Sequence, residues 1–193
     1  VTVRTEQKER TRQDILASAN RLLRERGIAG ASVAEVMKGA GLTVGGFYAH
    51  FESKEALVAA SLRESLRELW SGLVAAAGKL RGVEAVSFVV RRYLSRSHRD
   101  HPCEGCPLPA VVADVAQAGE PVRDALAREL GDYAGALGEC IADDSPASRQ
   151  RALALIALMY GGLSLSRALK GTPASEELLK ACRDFARQAF HND

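Results

Sequence analysis

Two stretches of this chain carry side chains whose type and spacing could do chemistry. The first is HRDHPCEGC, where His98, His101, Cys103 and Cys106 fall close together with Asp100 and Glu104 interleaved. Four nitrogen and sulfur donors suit zinc, yet the ordinary motifs set two pairs on separate elements, and here one short segment would have to fold back on itself. A reactive thiol is the other chemistry. Cys106 immediately precedes Pro107 at an expected helix start, where the positive end of the helix dipole lowers a thiol pKa. Cys103 and Cys106 are therefore candidate thiol sensors, able to pair as a disulfide or capture an electrophile. The plainer reading takes both as incidental loop thiols. An enzyme built on CEGC is disfavoured: no strand precedes the pair, no Ser-His-Asp or paired-carboxylate constellation stands out, and no phosphate-cradling glycine loop occurs.

The second stretch is SVAEVMKGAGLTVGGFYAHFESK, residues 32–54. Ser32 followed three residues later by Glu35 forms a capping box, and Val33, Val36 and Met37 share one face of the short helix it opens. Gly39 and Gly41 let the chain end that helix and swing round, so the turn spans Gly39 to Leu42. Thr43 is placed to cap a second helix, with Phe47 and Phe51 anchoring it inward four residues apart. Thr43, Val44, Gly45, Tyr48 and His50 are left outside. Gly45 and Gly46 each cost about 1 kcal/mol of helix propensity, but they bare the backbone for close approach. That suits a recognition helix entering a major groove, and the pair of helices is a helix-turn-helix.

The elements around this stretch fit the same purpose. Residues 1 to 10 are polar and capless, which suits a mobile arm whose Arg4 and Arg12 reach phosphates or a minor groove. From Thr11 a helix carries Ile15, Ala19 and Leu22 on one face and ends at Gly27. Residues 1 to 54 hold nine Lys or Arg against six Asp or Glu, an excess of +3, while the remainder holds 17 against 18. The basic excess sits with the helix-turn-helix.

GLTVGGFYAHFESKEAL closely resembles the DNA-binding signature of the tetracycline-repressor (TetR) family of bacterial transcription regulators. TRQDILASANRLLRERGIAGASVAEVMKGAG resembles the first two helices of the same family. The resemblance implies an all-α protein: an N-terminal three-helix helix-turn-helix domain, residues 1–52, followed by a larger helical ligand-binding and dimerisation domain, residues 53–193. It implies a homodimer on a near-palindromic double-stranded DNA operator, released by a small-molecule effector, with no cofactor and no resident metal. Thr43, Val44, Gly45 and Gly46 would approach bases, Ser32, Tyr48 and His50 would meet phosphates, and Lys54 would secure the DNA backbone. In that family the helix after the signature links the ligand domain to the DNA reader. A thiol- or metal-responsive regulator acting through Cys103 and Cys106 is the alternative.

The 193 residues are 47% hydrophobic and 26% charged, the composition of a soluble globular protein. No apolar run is long enough for a membrane span, and the first residues lack a secretory segment, so a cytoplasmic location is expected. Four cysteines are too few for a disulfide framework.

Helical periodicity continues to the end of the chain. Ser53 is placed to cap a long helix carrying Leu57, Leu62, Leu66 and Trp70, and a further helix runs from Val83 to about Ser97. A short helix follows from Ala110 to Ala118, then a stripe from Val122 to Ile141 through Leu126, Leu130, Tyr133 and Leu137. Pro107, Pro121, Pro146 and Pro173 suit first-turn positions, with Ser145 and Thr172 as caps. The helix Ala147 to Lys170 is apolar on almost every side and needs cover all round. Its Leu158, Gly161, Gly162, Leu165 and Leu169, with Leu178, Cys182 and Phe185 of the last helix, are assigned to a four-helix dimer seam. The bulky inward residues Leu66, Trp70, Phe88, Tyr93, Tyr133, Leu137, Met159 and Tyr160 are the candidate ligand pocket.

Overall fold

The computed structural model of the protein describes residues 3–141 and 147–191. Among them are nine α-helices, two short 3-10 segments and no strand: an all-α chain with a helix-turn-helix at its N-terminus and a larger helical domain behind it. The expected cap Ser145 and first-turn Pro146 lie outside the described residues.

Helix α1 spans Val3–Arg26, so the expected arm is helical from residue 3 and does not begin its helix at Thr11. The reason is local. Neither Gly nor Pro interrupts residues 3–26, and Arg, Glu, Gln and Lys are good helix formers, so the helix propagates past the end of its apolar face. Side-chain bonds from Gln13 to Glu9 and from Thr11 to the Gln7 carbonyl support the extension. Ile15, Leu16, Ala19, Leu22 and Leu23 bury the other end. Gly27, at φ +71°, stops the helix, and Asp114 lies where its Cβ would stand, so this position excludes a side chain twice over.

Helix α2 spans Val33–Gly39 and opens on the expected capping box, with Ser32 Oγ accepting from the Glu35 N–H and the Glu35 carboxylate accepting from the Ser32 N–H. Gly41, at φ +73°, makes the turn. The expected recognition helix follows as a 3-10 segment, Val44–Ala49, and Thr43 forms no side-chain cap. Two adjacent glycines leave too little propensity for a full α turn, and the tighter coil is held by Phe47 beneath it.

Helix α3, Lys54–Ala77, is capped by Ser53 as expected and ends at Gly78. At 1.5 Å per residue it runs about 36 Å, enough to join the helix-turn-helix to the far domain. Helix α4, Gly82–Tyr93, stops short of the expected Ser97, because Ser95 caps a new short helix α5, Arg96–Asp100. The rest are α6 Leu108–Gln117, α7 Glu120–Ile141, α8 Ser148–Ala168 and α9 Pro173–Ala189. Pro107 stands at the cap of α6, Pro121 lies in the first turn of α7 and Pro173 opens α9, although Thr172 bonds backwards to the Leu169 carbonyl and does not cap.

One apolar core runs through both regions, and polar bonds tie them together at its edge. Asp114 Oδ2 on α6 accepts from the N–H groups of Ile28 at 2.6 Å and Ala29 at 3.1 Å in the α1–α2 turn. Arg24 on α1 donates to the Gly105 carbonyl at 2.8 Å, and Glu55 on α3 accepts from the Gly119 N–H.

Candidate nucleic-acid interface and effector region

Phe47 and Phe51 are buried with stacked rings, 5.9 Å between centroids, and they fix which side of the 3-10 segment faces out. Outside lie Thr43, Val44, Gly45, Gly46 and Tyr48, with Tyr48 75% and Val44 50% exposed. A Cβ on Gly45 would meet nothing within 4 Å, and one on Gly46 only the Met37 methyl at 3.8 Å. Neither has a positive φ. The fold itself has no use for this bare backbone, so its use lies in what approaches from outside. Ser32 is exposed at the start of α2, where its hydroxyl also donates to Glu35 at 2.8 Å.

Two of the basic residues expected on DNA are engaged within the domain, and His50 is partly withdrawn from the surface. Arg12 donates to the His50 carbonyl at 3.2 Å and lays its guanidinium 4.3 Å above the Phe51 ring. Lys54 Nζ donates to the Ile28 carbonyl at 2.8 Å, tying the start of α3 to the α1–α2 turn. His50 is half-buried, not outward as expected, and its buried Nδ1 finds no partner among the described residues. Arg4 is exposed in the first turn of α1.

The loop bearing the two thiols is braced by its neighbours. His98 Nδ1 lies 2.6 Å from the Tyr93 carbonyl, and its Nε2 accepts from the Cys106 N–H at 2.8 Å. Both bonds fit only the neutral ring with its proton on Nδ1. Burial, partly offset by the Tyr93 bond, takes the His98 pKa down to about 4. Arg167 on α8 donates to the carbonyls of His98 at 2.8 Å and Cys106 at 3.3 Å.

The expectation that Cys106 has a lowered pKa is overturned. Its side chain is buried and burial raises the thiol, outweighing the Tyr93 hydroxyl, the Leu108 N–H and the two arginines nearby. Cys103 is exposed. Among the described residues no group of three or more His, Cys, Asp or Glu stands where it could hold a metal ion, and both ring nitrogens of His98 are already engaged.

A family model described as bacterial regulatory proteins of the tetR family matches residues 15–61, and one for the tetracyclin repressor-like C-terminal domain matches residues 82–182. The chain belongs to the TetR family. It is accordingly a DNA-binding transcription regulator. Solved TetR-type structures share the fold. A Cytophaga hutchinsonii TetR-family regulator is 23% identical with a TM-score of 0.79, covering 95% of this chain and 96% of its own. The reduced form of E. coli NemR is 22% identical at 0.76, with 90% and 95% covered. Bacillus subtilis FadR, in complex with stearoyl-CoA, is 16% identical at 0.71, with 93% and 99% covered. No curated protein matches the sequence.

In this TetR-family chain the eight pocket candidates separate. Leu66, Leu137 and Met159 are wholly buried core, and Phe88 and Tyr160 are half-buried against it. Tyr93 lines a cavity of about 460 Å³ with Leu69, Leu73, Arg92 and His98. Trp70 and Tyr133 stack at 4.6 Å with rings 12° apart and wall a separate cavity of about 340 Å³ between α3 and α7. Burial raises the Tyr133 pKa, and its hydroxyl has no hydrogen-bond partner among the described residues. Sequence reasoning missed Glu129, buried one turn before Tyr133 and paired with Arg67 at 2.8 Å. The available signal was a carboxylate at i−4 from Tyr133, inside an apolar stripe.

Along α8 and α9, Leu165 is 54% and Phe185 62% exposed, and Leu153 and Leu169 join them on the surface. Gly161 has open space above it, and Leu158 and Leu178 are half-buried. Gly162 and Cys182 instead face each other within the chain: a Cβ on Gly162 would lie 2.8 Å from Cys182 Sγ. That glycine lets α8 and α9 of one chain close together. No helix among the described residues is long and apolar enough to cross a membrane.

Proposed function

We propose that the chain is a homodimeric repressor that holds a near-palindromic operator through two copies of the Val44–Ala49 segment and is released by a small-molecule effector. Residues 1–52 form the reading head and residues 53–193 the effector-binding and dimerisation domain. The observation that carries this reading is the bare, exposed face of Gly45 and Gly46 between Val44 and Tyr48, which the fold does not require. Tyr48, Ser32 and His50 meet phosphates, and Thr43, Val44 and Gly45 approach base edges. Arg12 and Lys54 act at one remove, holding the reading segment and α3 in place.

The apolar surface formed by Leu153, Leu165, Leu169 and Phe185 is covered by the same surface of a second copy, giving a four-helix seam. The heads are then spaced by about one turn of DNA, roughly 34–36 Å. An effector bound in the larger domain favours a state whose heads no longer fit both half-sites, and α3 and α6 carry the shift to the reader. A likeness in fold to FadR, a regulator solved in complex with stearoyl-CoA, supports a small-molecule effector.

The test is selection of bound duplexes from a random pool, followed by titration of the selected duplex at two salt concentrations. A palindromic sequence bound by two chains with a steep salt dependence is expected. No enrichment, from protein refolded to strip any bound effector, defeats the reading.

A further inference from the structure

We propose that the cavity between α3 and α7 is the effector site and that it takes an organic cation with a flat aromatic face. The effector role rests on the regulator reading above; the choice of a cation does not. The cavity is of ligand size, about 340 Å³, and its polar groups are few. Of its charged lining residues Arg67 is positive and Glu129 and Asp132 are negative, one against two.

Placement sharpens this balance. Glu129 is 3% exposed, so its carboxylate has left water, whereas the Arg67 side chain that pairs with it at 2.8 Å is 68% exposed. A buried carboxylate needs a partner cation, and among the described residues this one is paired with a long side chain standing in solvent. A ligand cation entering the cavity takes the place of Arg67 and makes the same pair in drier surroundings, where it is stronger. The stacked rings of Trp70 and Tyr133 add π surface that attracts cations and excludes anions. Behind the ring, the Tyr133 hydroxyl is buried and finds no hydrogen-bond partner among the described residues. An anionic effector would have to leave Glu129 unpaired or bury beside it.

Trp70 is the chain's one tryptophan, so its fluorescence reports on the cavity wall directly. The probe is 1-methylquinolinium, compared with 1-methylnaphthalene of the same shape without charge and with anionic 1-naphthoate, all without DNA. Saturable quenching by the cation is expected, with affinity at least tenfold above both controls. Glu129→Gln should lower cation affinity at least tenfold, and Arg67→Ala, which removes the competing guanidinium, should raise it. Arg67→Ala strips the buried Glu129 of its partner, so circular dichroism first checks that the variant is folded; where neither variant folds, the cation compared with the neutral and anionic probes on the parent protein tests the idea. Naphthoate binding as well as the cation, or Arg67→Ala weakening the cation, would overturn the assignment of ligand charge. Cation binding that leaves affinity for the selected operator unchanged would overturn the effector role alone. Absence of any operator would count against the regulator reading and leave the fluorescence result standing.

Discussion

His98 offers the sharpest test of how the larger helical domain is held together. Its ring is neutral in the fold, donating to Tyr93 and accepting from Cys106, and its pKa falls from 6.5 to about 4, mainly through burial. A proton on Nε2 would turn the acceptor of the Cys106 N–H into a second donor. The unfolded chain takes up that proton near pH 6.5 and the folded chain only near pH 4. Between those values the unfolded state binds more protons, so stability is whole above pH 6.5, falls as the pH drops toward 4 and levels off below it. A shift of this size corresponds to roughly 3 kcal/mol, reduced to roughly 2 for a ring partly open to solvent. Urea unfolding of the parent and of His98→Gln between pH 4 and 8 measures it, since glutamine keeps a donor and an acceptor but does not titrate. The parent should lose about 2 kcal/mol more than the variant between pH 7 and pH 4. Asp100, with a pKa of about 2, and Glu176, also lowered, lose their stabilisation as the pH falls from about 5, overlapping the acid end of this window, but they do so in both proteins alike and cancel in the comparison. Parallel pH profiles, or an NMR titration placing His98 near 6.5, would refute the reasoning.

Gly45→Ala should raise fold stability by about 0.5–1 kcal/mol, because the new methyl meets nothing, while weakening operator binding; a variant that binds DNA as tightly as the parent contradicts the close approach assigned to this face. Leu165→Asp with Phe185→Asp should convert the proposed dimer to folded monomers in sedimentation, and a dimer surviving both changes would place the seam elsewhere. Asp114→Ala leaves the Ile28 and Ala29 N–H groups without their acceptor and should cost about 1–3 kcal/mol in thermal or urea unfolding, with no loss meaning that water replaces the carboxylate freely.

What the sequence by itself determined are the features whose causes lie within a few residues. The Ser32–Glu35 capping box, the turn at Gly41, the inward pair Phe47 and Phe51, the Ser53 cap and the start of α9 at Pro173 all follow from neighbours one to four positions away. The same locality explains the misplaced start of α1: an apolar stripe marks where a helix packs, not where it begins. Tertiary structure alone decided which way the long polar side chains turn. Arg12 and Lys54 look like phosphate ligands in the sequence, but His50 and Phe51 lie some forty residues from Arg12, and Ile28 lies 26 residues from Lys54. Cys106 looks activated from its place before α6, yet the elements folded over it raise its pKa where the helix dipole alone would lower it. Glu129 meets Arg67 only because α7 lies along α3 across 62 residues of chain. A flexible side chain's partner and its access to water are set by whatever the fold brings beside it, and spacing along the chain carries no record of that.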